Sequence, residues 1–195
     1  MASAAPDNAA LLERLRRRDP EALAEAVLEH ARPLLRAAKA MGFRKEEAED
    51  IVQDVYTTFF ERLDRFEGRS QLRTWLFGIL HHKAMERRRA SIVDDRTDPI
   101  DTVFESRFDG NGKWVRPPAD LERLLLSKEI GEVIQVCMED LPVNQREVFV
   151  LREVEGLGTT EICKILDVSV TNLGVLIHRA RTRLRECLEA KGWSR

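Results

Sequence analysis

The stretch Val168–Leu188, VSVTNLGVLIHRARTRLRECL, gathers side chains that can meet nucleic-acid bases on one side of a helix. Thr171, Val175, His178, Arg179 and Thr182 recur at spacings that share an outward face, with Asn172 beside them. Asn172 can hydrogen-bond to base edges, and Thr171 and Val175 can meet thymine methyl groups. The arginines come late, at 179, 181, 183 and 185, and point in several directions. They suit phosphate oxygens better than bases. Such a helix can read DNA but grips it weakly.

Two further sets of side chains stand earlier in the chain, with opposite charge. From Glu46 to Glu67 there are eight acidic residues against Arg62 and Arg65, a net of −6. From Arg69 to Ala90 there are six basic residues against Glu86, a net of +5. The whole-chain charge of −2 conceals this division. Adjacent blocks of opposite sign predict one unit that offers two surfaces to two different partners. In the acidic block Asp50, Gln53, Asp54, Thr57 and Glu61 fall away from the apolar positions and are expected to be exposed. In the basic block Arg69 and Ser70 sit in a loop, and Arg73, Thr74, His82, Lys83, Arg87 and Arg88 lie along the following helix. Trp75 belongs with the core residues of the same segment.

The elements that must position these groups are helical. Of the 195 residues 43% are hydrophobic and 34% charged, aromatics are few, and long runs of Val, Ile and Thr are absent. Asp19 and Pro20 open one helix, as a cap and a first-turn proline. A second helix is expected over Pro33–Met41, ending at Gly42. A third runs over 45–63, with Ile51, Val52, Val55, Tyr56, Phe59, Phe60 and Leu63 forming its buried face. A fourth turns Leu72, Trp75, Leu76, Ile79 and Leu80 inward and ends in MERRRA. These helices make a first domain over 8–90. Residues 91–119 lose periodicity and read as a flexible acidic linker with six acids against four bases. A second domain over 120–190 holds helices over 121–139 and from Leu141 to Gly156. TTEICKIL, the turn DVS and a long final helix then form a helix-turn-helix capped by Ser169. In the final helix Leu173, Ile177, Ala180, Leu184 and Leu188 are expected to face the core.

Several chemistries find no support. There is no phosphate loop, nucleophilic triad or metal-ligand cluster, so no catalytic residue and no cofactor is expected. His81 and His82 are neighbours on a helix and diverge, which makes poor ligands with Glu86. Cys137, Cys163 and Cys187 are odd in number and far apart, and are expected to be reduced core thiols; a zinc site from Cys163, His178 and Cys187 lacks close ligand pairs. No apolar run approaches the ~20 residues that span a bilayer, and the N-terminus lacks the order of a secretory signal. A cytoplasmic protein without membrane insertion is expected.

The order AEDIVQDVYTTFFERLDRFEGRSQLRTWLFGILHHKAMERRR, an acidic linker, then LPVNQREVFVLREVEGLGTTEICKILDVSVTNLGVLIHRARTRLRECL closely resembles the extracytoplasmic-function (ECF) sigma factors of bacterial RNA polymerase. The resemblance extends from about Asp19 to Leu188. It implies an all-α protein of two small domains joined by a flexible linker, which binds RNA polymerase core and directs it to promoter DNA. It places Asp50, Gln53 and Asp54 on the clamp helices of the polymerase. Arg69, Ser70, Arg73, Thr74, His82, Lys83, Arg87 and Arg88 fall on the melted −10 element, and Ser169, Thr171, Asn172, Val175, His178 and Arg179 on the −35 element. It also implies an anti-sigma factor as a partner. In the linker, Asp94, Asp95, Asp98 and Asp101 either line a basic channel of the polymerase or belong to a plain tether. His82 stands where family members often have Asn, Asp167 where they usually have Gly, and Gly174 and Leu176 where many have Lys and Arg. An altered promoter preference follows. The competing reading is a stand-alone helix-turn-helix regulator whose first domain senses a ligand or dimerises.

Overall fold

The computed structural model of the chain describes residues 6–68, 70–90 and 128–192. All regular structure among them is helical. Helix α1 (Pro6–Arg16) precedes α2 (Pro20–Ala40), α3 (Lys45–Arg62) with a 3₁₀ turn over Leu63–Arg65, and α4 (Leu72–Ala90). The C-terminal half holds α5 (Lys128–Glu139), α6 (Val143–Phe149) extended by a π turn over Val150–Val154, α7 (Thr159–Leu166) and α8 (Val170–Ala190).

Local chemistry sets the helix ends. Asp19 accepts from the backbone N–H of Glu21 at 2.9 Å and of Ala22 at 3.4 Å, and Pro20 takes the first helical position. A hydrogen bond from Arg14 holds the Asp19 carboxyl below the usual carboxylate range. The expected break before Pro33 does not occur, and α2 runs through it. Proline removes one i→i−4 bond, typically a cost of about 3 kcal/mol. Burial of Leu34, Ala37 and Ala38 in the following turn offsets that loss. Met41 caps α2, and Gly42 follows at φ 95°, a conformation that side chains resist.

Helix α3 buries Ile51, Val52, Val55, Thr58 and Phe59, while Asp50, Gln53, Asp54, Thr57 and Glu61 stay exposed. The Tyr56 hydroxyl donates to the Val27 carbonyl at 3.1 Å, and burial pushes its pKa up to about 12. Trp75 of α4 lies 4.7 Å from Phe66 in a stacked pair and 5.8 Å from Phe59 edge-on. It packs in the core rather than standing free for a base.

Helix α7 ends at Asp167, whose backbone is left-handed at φ 53° and ψ 47°. Aspartate tolerates this region better than most residues, which is why it can stand at the turn of the helix-turn-helix. Ser169 then caps α8, its Oγ accepting from the Asn172 N–H at 3.1 Å. Leu173, Ala180, Leu184 and Leu188 are buried as the periodicity predicts. Two assignments on α8 change: Leu176 is buried while Ile177 is only half-buried, and Thr182, expected outside, is 5% exposed. Neighbours close over both sides of the helix, so its buried face is broader than one stripe.

The cysteines also depart from expectation. Cys137 of α5 and Cys187 of α8 form a disulfide with Cα atoms 5.8 Å apart; only Cys163 is a free thiol. Separation in sequence hid their proximity, because α5 packs directly on α8. The bond joins a small apolar cluster of Ile134, Leu141, Phe149, Ala180, Leu184 and Leu188. It also takes Cys187 away from any zinc site. No group of three or more His, Cys, Asp or Glu among the described residues could hold a metal ion.

The two halves share a larger core. Residues of α1–α4 form one apolar cluster with Val148, Val150, Leu151, Leu157, Ile162, Ile165, Leu173 and Leu176. The halves are therefore closed on each other. No helix among the described residues is long and apolar enough to cross a membrane.

Two outcomes follow. A cross-link between residues 50 apart typically stabilises by about 3–4 kcal/mol through the unfolded chain. Reductant, or Cys137→Ala/Cys187→Ala, is expected to lower the urea midpoint accordingly, while Cys163→Ala leaves the response to reductant intact. His30, 6% exposed, has its pKa lowered chiefly by burial, opposed by Glu29 and assisted by Arg73. The folded state thus favours neutral imidazole. Its contribution is fully present above the unfolded value near 6.5 and is lost as pH falls through the lower folded value. Thermal unfolding between pH 7 and 5 should show this loss in the wild type and a smaller one in His30→Gln.

Candidate nucleic-acid interface

Helix α3 presents Asp50, Gln53 and Asp54 to solvent because its other side is held by the Val52–Val55–Phe59 face. Asp50 and Gln53 lie three apart and Asp50 and Asp54 four apart, so the three side chains share one strip. Arg87 of α4 reaches Asp50 at 3.3 Å. Both side chains are largely exposed, and such a pair contributes about 0–1 kcal/mol. The acidic strip and the end of the basic helix are thus neighbours in space while both remain open to partners.

Along α4 the basic residues have different surroundings. His82 and Arg87 are exposed, and Lys83 is half-buried and pairs with Glu86 at 3.3 Å. Arg88 donates to the Met41 carbonyl and lies 5.2 Å over the Phe43 ring, so it also secures the end of α2. Ser70 is half-buried in the turn before α4, and Arg69 lies outside the described residues. Arg73, with 32% of its side chain exposed, and the buried Thr74 both contact the C-terminal half. Arg73 Nη2 meets Glu155 Oε2 at 3.0 Å and also the Glu155 carbonyl, and Thr74, 5% exposed, donates to Glu161. His81 Nδ1 lies 2.6 Å from Glu147 Oε1. The N-terminal part of α4, around Arg73 and Thr74, is therefore covered by the C-terminal half.

Sequence reasoning missed the residues that cover it. Glu155 has a side chain only 1% exposed and is held by Arg36 of α2 at 2.8 Å as well as by Arg73. Glu147 is 4% exposed at its side chain. The signal was present in REVFVLREVEG, where acidic residues interrupt an otherwise apolar segment. A buried carboxylate needs a cationic or donor partner, but the partner lies far off in sequence.

On α8, Ser169, Thr171 and Asn172 are exposed at the helix start, while Val175, His178 and Arg179 are half-buried. The exposed Gly174 separates them without adding charge. The later arginines are committed internally: Arg181 pairs with Glu153 at 2.5 Å, Arg183 donates to Gln145 at 3.2 Å, and Arg185 approaches Glu189 at 3.7 Å. They brace α8 on α6 and on its own last turn. The polar N-terminal turn of α8 is thus open to solvent, while its later arginines are engaged within the protein.

Comparison with known proteins agrees with this layout. Residues 26–91 match the profile of Sigma-70 region 2, and residues 131–184 that of Sigma-70, region 4. A probable RNA polymerase sigma factor of Haemophilus influenzae is 32% identical over 152 residues, covering 74% of this chain and 78% of that protein. The ECF RNA polymerase sigma-E factor of Escherichia coli is 30% identical over 132 residues, covering 68% and 69%. Two solved structures share the fold, each with a TM-score of 0.63. CnrH, solved with the cytosolic domain of CnrY, is 24% identical, with 92% of this chain and 96% of that one covered. The sigma factor RpoE of Bartonella quintana, solved with the anti-sigma factor NepR, is 23% identical, with 85% and 96% covered. The two matched regions together span both halves of the molecule, and the chain belongs to the ECF family of RNA polymerase sigma factors.

Proposed function

We propose that the chain binds RNA polymerase core through Asp50, Gln53 and Asp54, engages the melted −10 strand along α4, and reads the −35 element with the first turns of α8. The observation that carries this reading is the exposed acidic strip of α3 set against the basic α4, one unit with two surfaces of opposite sign. Residues 8–90 form the polymerase- and −10-binding unit, 91–119 the connecting linker, and 120–190 the −35-binding unit. The linker lies outside the described residues.

Each role follows from the side chains present. Ser70, Arg73, Thr74, His82, Lys83, Arg87 and Arg88, with Arg69 in the preceding turn, provide donors and cations for a backbone and unstacked bases. At the −35 element Asn172 hydrogen-bonds to a base edge, Thr171 and Val175 meet methyl groups, and Ser169, His178 and Arg179 position the helix. With Gly174 and Leu176 where relatives often carry cations, the contact is weak alone. It becomes effective when polymerase holds both units over one promoter, because the second contact is then made at high local concentration. The chain contributes no catalytic group and takes no cofactor; phosphodiester chemistry belongs to the polymerase. It works in the cytoplasm, where the polymerase is.

An anti-sigma factor is the expected inhibitor. The fold-similar RpoE was solved with one, and a partner that covers α3 and α4 would block both proposed surfaces at once.

Core binding is the direct test. Asp50→Arg/Asp54→Arg is expected to weaken capture of core polymerase at least about 10-fold, near 1.4 kcal/mol, with the circular dichroism spectrum unchanged because both residues are exposed. Equal capture of the variant by core polymerase would refute the assigned surface. At the other end, Asn172→Ala should reduce run-off transcription from a cognate promoter and relax preference at one −35 position by about 1–3 kcal/mol. Core binding should stay at the wild-type level in that variant.

A further inference from the structure

Cys187 lies fifteen residues past Asn172 on α8, about 22 Å along the helix at 1.5 Å per residue. The Cys137–Cys187 disulfide is thus remote from the base-reading turn, yet it encloses that turn. The bond closes a ring that contains α6, the π turn, α7 and all but the last residues of α8, and nothing of α1–α4. The whole helix-turn-helix is held in one covalent loop. Residues 128–192 also fall short of the ~70–80 at which a single apolar core holds a domain without a staple. Among the described residues of α5 only Ile134 and Cys137 are buried, and α8 is the one helix on which α5 packs extensively.

The two sulfurs differ in access. Cys137 is 1% exposed, while Cys187 is half-buried near the open end of α8. Arg183 and Lys191 stand one turn before and after Cys187 on the same face, and they attract an incoming thiolate. The thiolate therefore reaches Cys187 Sγ, and Cys137 is the leaving group. Packing of α5 on α8 keeps the two Cα atoms 5.8 Å apart, so Cys137 re-attacks the mixed disulfide and expels a monothiol. A dithiol escapes that return, because its second thiol closes on its first sulfur. In the cytoplasm, the compartment proposed above, disulfides are mostly transient, catalytic or redox-sensing.

We propose that Cys137 and Cys187 form an exchange site for dithiol reductants, and that its state sets how firmly the −35-reading unit is held. A thiolate of the dithiol bonds to Cys187 Sγ as the Cys137–Cys187 bond breaks, its electron pair leaving on Cys137. The second thiolate then forms the reagent's ring disulfide and releases Cys187. Two electrons pass to the protein, and the two protons of the dithiol end on Cys137 and Cys187. Exchange with the cyclic disulfide runs the steps in reverse. The consequence rests on the assignment of α8 to the −35 element. Oxidised, the ring keeps α6–α8 assembled. Reduced, the unit opens more often and −35-dependent initiation falls, while α3, outside the ring, still takes polymerase core.

The full chain is equilibrated with dithiothreitol or with reduced glutathione at equal thiol concentration, and free thiols are counted by alkylation and mass. Dithiothreitol is expected to free Cys137 and Cys187, and glutathione at least 10-fold less of them. In the reduced chain iodoacetamide should label Cys187 at least 10-fold faster than Cys137. Each state is then desalted, so that polymerase never meets the reagent, and assayed with core. The reduced chain is expected to give at least 3-fold less run-off transcription from a cognate promoter, with equal core capture. Reoxidation by the cyclic disulfide of dithiothreitol should restore it. Cys163→Ser should respond as wild type does, and Cys137→Ser/Cys187→Ser should stay at the reduced level throughout. If that double variant does not fold, the reduction and reoxidation cycle of the wild type decides.

Equal transcription from the two states would overturn the proposal. So would a loss that reoxidation does not restore, a matching response in the double variant, faster labelling of Cys137, or equal opening by glutathione. Core capture separates the two levels. If both states bind core and transcribe equally, the exchange has no consequence and the assigned surfaces stand. If neither binds core, those surfaces fail and the consequence fails with them.

Discussion

The side chain of Glu155 sits between Arg36 and Arg73 with 1% of its surface exposed, and the relation of the two halves depends on that placement. A carboxylate taken out of water is costly unless its oxygens are matched, and here α2 and α4 each contribute a guanidinium. The match holds only if α2, α4 and the turn after α6 meet in one arrangement. The π turn over Val150–Val154 and Gly156, at φ 65°, bring Glu155 to that point. Apolar packing favours burial, and the ionic contact fixes its register.

The same constraint explains why α4 is divided. Its apolar residues, Leu72, Leu76, Ile79 and Leu80, hold it in the N-terminal core. Arg73, Thr74 and His81 face the C-terminal half, and His82 and Arg87 face solvent. One helix thus serves a core, an internal acidic surface and a solvent-facing side. Arg87 beside Asp50 couples its far end to the acidic strip on α3, so a partner seated on that strip also meets the end of the basic helix.

Much of the architecture was legible in the sequence because it is local. Caps at Asp19 and Ser169, the apolar face of α3 and the left-handed tolerance of Asp167 are decided within a few residues. Pro33 misled because the expected break weighed one lost hydrogen bond and not the burial beneath the following turn. The cysteines misled because Cys137 and Cys187 become neighbours only when α5 packs on α8. The acidic strip of Asp50, Gln53 and Asp54 could be read from periodicity, since exposure is the default for polar side chains off an apolar face. Arg73 and Thr74 could not, because their partners lie more than 80 residues away and nothing local distinguishes a cation awaiting DNA from one already paired.

That last distinction also bears on α8. Its arginines gave the helix the look of a DNA-binding element with its charge misplaced, yet Arg181 and Arg183 brace α8 on the preceding turn and helix. Once those are removed from the count, the proposed reading edge is Ser169, Thr171 and Asn172, exposed and uncharged. Base-edge contacts of this kind carry sequence information, whereas affinity in DNA binding comes chiefly from phosphate contacts. A recognition helix stripped of the second term discriminates without holding. Such a helix is useful only where another body supplies the attraction, as the proposed polymerase partner does, and here the basic α4 is itself partly covered by the C-terminal half.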